Sequence, residues 1–136
     1  MHKIILVIGE VTRDQYQELR ILVLHEGHLP KIVRLSADEF FLDSESLWRL
    51  YATPEQKEHE LHLAMHGSTQ EEDEASIGLT QSMAAQHLQA YDGLHSVLLG
   101  SDVVDQYHPL DWMGSALAGL DCPVWTLEGD GLLVIG

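Results

Sequence analysis

The chain has 136 residues, 45% of them apolar, with 22 acidic and 7 basic side chains and a formal charge of −15. That size and composition suit one globular domain, residues 1–136, with a core that needs no disulfide staples. The charge argues against a nucleic-acid backbone or an anionic membrane surface as partner, because both require clustered Lys and Arg. The one cysteine, Cys122, can make neither an internal disulfide nor a cysteine-rich zinc site, and reads as a buried structural residue.

Ile4 to Ile8 is a continuous apolar run rich in β-branched residues, the pattern of a central strand covered on both faces. It is too short for a signal-peptide core or a membrane span, so the expected location is the cytoplasm. Gly9 ends the strand. Thr12 and Gln15 form a capping-box signal for a helix with Tyr16, Leu19 and Val23 on one face and Gly27 as its stop.

Lys31 to Leu35 reads as the second strand, and Ser36 with Glu39 starts another helical segment. Asp43 and Ser44 interrupt it; Leu47, Trp48 and Leu50 resume it, and Thr53–Pro54 opens the next turn. From Glu60 to His66 the chain alternates. Leu61, Leu63 and Met65 fall on one side of a predicted strand, with Glu60, His62 and His66 on the other. Gly67 to Ser76, with the acidic run Glu71 to Glu74, reads as a surface loop.

Thr80 is the predicted cap of a helix burying Ala84, Leu88 and Tyr91, which Gly93 ends. Ser96 to Leu99 is the next predicted strand, with Gly100 at its exit. Pro109 starts a predicted helix carrying Leu110, Met113, Leu117 and Leu120 on one stripe. Val124 to Leu127 and Leu132 to Ile135 flank Gly129–Asp130–Gly131 as a hairpin. The order predicts an α/β fold. It is a three-layer α/β/α arrangement with a mainly parallel sheet of five to six strands, right-handed crossovers and a C-terminal β-hairpin.

Sites in open parallel sheets form beyond the carboxyl ends of strands. Three predicted exits carry polar groups: Gly9–Glu10, His66–Gly67–Ser68 and Gly100–Ser101–Asp102. Adjacent strands would bring His66 near Ser101 and Asp102, with His66 as a general base. A nine-histidine chain invites a metal reading. On a strand, however, His62 and His66 would stand on the order of 13 Å apart, too far for one ion. His59 to His62 reads His-Glu-Leu-His and is no metalloprotease motif. Glycine-rich nucleotide motifs, a phosphate-loop lysine and a GxSxG elbow are absent, and of a receiver-type acidic pair only Glu10 is present. The tryptophans and Met113 read as core.

The words LHLAMHG at 61–67, IGLTQSMAAQHL at 77–88, HSVLLGSD at 95–102, MGSALAGL at 113–120 and CPVWTLEGD at 122–130 occur in that order. This run resembles the second half of the caspase-like peptidases, the bacterial CHAT branch in particular. The resemblance implies a strand ending in a catalytic His-Gly, a helix, and a further strand ending in the nucleophilic cysteine. His66 would then be the general base, and the nucleophile position falls on Ser101 or Asp102. Neither is cysteine, and Cys122 lies beyond the following helix.

The expected function is therefore that of a degenerate, non-catalytic domain. It acts through another protein, with a basic surface as the charge-complementary choice, or as a subunit of a larger assembly. No cofactor or metal is assigned. The alternatives are a hydrolase using Ser101 with His66, supported by Asp102 or Glu10, and a histidine-based metal-binding protein.

Overall fold

The computed structural model describes residues 1–128 and 131–134. The predicted turn residues Gly129 and Asp130, and the end of the last strand at Ile135, lie outside the described residues. The strands are β1 (His2–Ile8), β2 (Leu29–Leu35), β3 (Leu94–Leu99), β4 (Val124–Glu128) and β5 (Gly131–Val134). They form one sheet in the order β2-β1-β3-β4-β5. The first four run parallel, and β5 returns antiparallel to β4.

The apolar run at the N-terminus is the centre of this sheet. Ile5, Leu6, Val7 and Ile8 are all fully buried, because β1 has a neighbour on each edge and side chains packed on each face. Ile5 and Val7 pack with Leu98 of β3 and with Tyr16, Leu19 and Val23 of helix α1 (Arg13–His25). Leu6 and Ile8 point the other way, into a larger cluster with Phe40, Leu47, Met83, Leu88, Leu99 and Leu117. Each such side chain contributes about 1.5–3 kcal/mol by leaving water.

The second cluster draws on α2 (Ala37–Phe40), α3 (Ser44–Tyr51), α5 (Gln70–Gln89) and α7 (Trp112–Ala118). The capping boxes at Thr12/Gln15 and Ser36/Glu39 form as the sequence predicts, and Asp43 caps α3 through Ser46 N. Gly27 and Gly93 take positive φ at the ends they were expected to mark. No helix among the described residues is long and apolar enough to cross a membrane.

Three expectations are corrected. Glu60 to His66 is not a strand but the second half of helix α4 (Pro54–His66). Only Leu63 of its apolar residues is buried; Leu61 and Met65 are 61% and 71% exposed. The segment 54–66 contains no β-branched residue and is rich in Glu, Gln, Leu, Ala and Met, so helix propensity overrides a short alternation. Of the predicted loop, only Gly67 to Thr69 connects two elements; Gln70 to Ser76 is helix. Thr69 caps α5 with a full capping box to Glu72, and Thr80 lies buried in mid-helix rather than at its start.

The third correction concerns Pro109. Helix α7 begins at Trp112, and residues 108–111 fold back over it. The His108 carbonyl sits where a Cβ on Gly114 would fall, and Ser115 Oγ donates to the Pro109 carbonyl at 2.6 Å. Leu110 is consequently 83% exposed instead of joining the Met113–Leu117 stripe. Cys122 is half-buried, and burial pushes its thiol pKa up.

Candidate functional site

The strand order reverses direction at β1: the chain moves from β1 outward to β2, then returns to the other side of β1 as β3. Doubly wound sheets place ligands in the crevice beyond the carboxyl ends at such a point. Here the exits of β1 and β3, Gly9–Glu10 and Gly100–Ser101–Asp102, do come together. Gly9 N donates to Leu35 O and Gly100 N to Ile8 O, each at 2.8 Å. The Glu10 amide donates to Asp102 Oδ1 at 3.0 Å.

Both glycines are required by this approach. A Cβ on Gly9, which has φ of +91°, would meet Asp102 Oδ1 at 2.5 Å. One on Gly100 would meet the same oxygen at 2.6 Å and Glu10 O at 2.9 Å. The polarity of these exits is legible in the sequence; their interlocking is not.

An open crevice of about 500 Å³ lies over these exits, bordered also by Arg34, Ser36, Asp38, Glu39 and Gln106. Arg34, Ser36, Glu39 and Asp102 among its groups are engaged in holding the edge. Arg34 donates to the Val11 carbonyl and lies 5.9 Å from the Tyr16 ring centroid, tying β2 to the loop after β1. Glu39 accepts from Ser36 N at 3.0 Å, and this backbone hydrogen bond holds its carboxyl below the usual range. Asp102 is occupied by the Glu10 amide. Ser101 opens the four-residue helix α6 (Ser101–Val104) and is exposed. No histidine is among the described residues that border the crevice.

His66 is placed elsewhere. It is the last residue of α4, followed by Gly67 at φ +86°, and not at a strand exit. Its ring lies against that of His62, with centroids 4.5 Å apart. The expected 13 Å separation of these two rings belonged to the strand reading and is replaced by an i, i+4 pair on one helix. The structure thus joins Glu10 to Asp102 beside Ser101 and does not bring His66 into their crevice. Among the described residues, no group of three or more His, Cys, Asp or Glu side chains is placed to hold a metal ion.

One half-buried polar pair leaves no mark in the sequence. Tyr51 Oη and His87 Nδ1 are 2.5 Å apart between α3 and α5, with their rings edge to face. Burial lowers the His87 pKa and raises that of Tyr51, which favours the neutral form of each group. His87 Nε2 is buried with no partner. The spacing of Tyr51 and His87 gives no signal, because they lie 36 positions apart on α3 and α5 with α4 between. No protein-family model matches the chain, and no curated protein or solved structure is found to be similar to it.

Proposed function

We propose that this chain is a non-catalytic α/β domain of three-layer type that acts by associating with another protein through its α4–α5 hairpin. The observation that carries this reading is the excess length of that hairpin. Helix α5 is 20 residues, about 30 Å, whereas the six residues of β3 span about 20 Å. Its buried residues, Thr80, Met83, Ala84 and Leu88, all fall in the second half; none of residues 70–79 is buried.

The exposed apolar residues Leu61 and Met65 lie on α4, and Ile77 and Leu79 lie with the acidic run Glu71 to Glu74 in the first half of α5. A chain of charge −15 favours a partner with an apolar patch rimmed by Lys and Arg. Ancestry among the caspase-like peptidases is compatible with the passage from β3 through the small-residue helix α7 to Trp125. It does not support catalysis here, since the His–Gly word closes a helix and residues 101 and 102 are Ser and Asp.

The test compares proteins retained from a native lysate by the wild-type chain and by the double variant Leu61→Asp/Met65→Asp. A partner with a basic surface is expected on the wild type and reduced at least tenfold on the variant. An identical retained set overturns the hairpin as the surface. A serine-reactive probe is expected to leave the chain unlabelled; labelling that Ser101→Ala abolishes would overturn the non-catalytic reading in favour of a hydrolase.

A further inference from the structure

His62 and His66 occupy successive turns of α4, both exposed, with ring centroids 4.5 Å apart and planes inclined by 40°. The helix beneath them is anchored. Leu63 is buried, and Glu60 accepts a 2.8 Å hydrogen bond from Ser76 Oγ on α5. Residues four apart share one helix face, and His59 falls on the same side one turn earlier.

We propose that His62 and His66 chelate one late first-row divalent cation of the Zn²⁺, Ni²⁺ or Cu²⁺ class, one ring nitrogen each, with water completing the shell. Two imidazoles this close fit a single coordination sphere with metal–nitrogen bonds of about 2.0–2.1 Å. Imidazole is the ligand type these ions favour over Mg²⁺ and Ca²⁺.

The electrostatics point the same way. His66 is the last residue of α4, so the bound charge sits at the negative end of a 13-residue helix. The strongly acidic chain adds a favourable long-range field. Among the described residues no third protein ligand joins the pair. The site is therefore open, with positions that exchange water for another ligand, unlike a closed structural zinc site. This inference stands apart from the association reading, since it rests on the His62–His66 ring geometry and the local charge and not on any partner.

The full-length, tag-free chain is titrated with Ni²⁺ alone, followed by calorimetry and by the imidazole signals in NMR. Of nine histidines, His62 and His66 are expected to broaden first, at substoichiometric Ni²⁺. His62→Ala and His66→Ala are each expected to weaken that binding at least roughly tenfold, because a second ligand on the same rigid helix acts at high effective concentration. The double variant should bind little more weakly than either single, since one loss already breaks the chelate. Ala is the strongest helix former, so neither variant removes α4. His108→Ala should bind as wild type does. Broadening that begins at other histidines, or single variants that keep wild-type affinity, would overturn the proposal.

Discussion

Tyr51 and His87 face each other between α3 and α5, and the imidazole has one nitrogen with no partner. Burial lowers the His87 pKa from its ordinary 6.5. As pH falls below 6.5, the unfolded chain takes up this proton before the folded one does. The stability contribution is full above 6.5 and is lost as pH falls toward the folded value. His87→Phe keeps the ring and removes the proton, so its stability in urea should fall less between pH 7 and 5 than that of the wild type. Equal pH slopes would refute this role. The capping carboxylates of Glu39 and Asp43 act in a lower window, because their pKa values are lowered from 4.5 and 3.8 by hydrogen bonds to Ser36 and Ser46. They favour folding above those values and cease to as pH falls through the lowered ones.

Two glycine environments make a second residue-scale prediction. A Cβ at Gly114 would fall 1.7 Å from the His108 carbonyl oxygen, which is backbone and cannot rotate away. Gly114→Ala should cost about 1–3 kcal/mol, through displacement of the 108–111 turn. Gly78, whose Cβ would meet nothing within 4 Å, is the control. It sits in mid-helix, so Gly78→Ala should stabilise by about 0.5–1 kcal/mol. Chemical denaturation of the two variants beside wild type reads both.

At the scale of elements, the α4–α5 hairpin separates what the sequence discloses from what it conceals. The run at Ile4–Ile8 reads as a strand buried on both faces because it is short, β-branched at four of five positions and ended by Gly9. The thirteen residues from Pro54 are ambiguous by periodicity, because Leu61, Leu63 and Met65 alternate yet only Leu63 is buried. Their composition was the better guide: no β-branched residue, Thr53–Pro54 at the start, and a Thr53/Gln56 capping box that the structure forms. Thr69 and Glu72 carry the same signature at the start of α5, and Ser68 donates to Asp73 beside it. The acidic run read as a loop is thus a helix N-terminus, where negative charge complements the dipole. Thr69→Ala should cost about 1 kcal/mol locally. Amide exchange should rise over the first turn of α5 and stay unchanged at Met83 to Leu88; uniform acceleration would show that the hairpin does not unfold separately.

Across the whole molecule, strand order could not be read from the sequence, and the sites depended on it. Patterning placed Glu10, Ser101 and Asp102 at strand exits, and the sheet brings those exits together because β1 and β3 are neighbours. The same patterning put His66 at an exit it does not occupy, since one misassigned strand carried the whole proposed dyad. What remains is a carboxyl edge tied together by the Glu10–Asp102 and Arg34–Val11 hydrogen bonds beneath an open crevice, and a long hairpin with exposed apolar and acidic residues. Hydrogen–deuterium exchange of the chain alone and with the basic protein partner proposed for it tests this account most directly. Protection confined to α4 and the first half of α5 is the predicted result. Protection centred on Glu10, Ser101 and Asp102, with the hairpin unchanged, would contradict it.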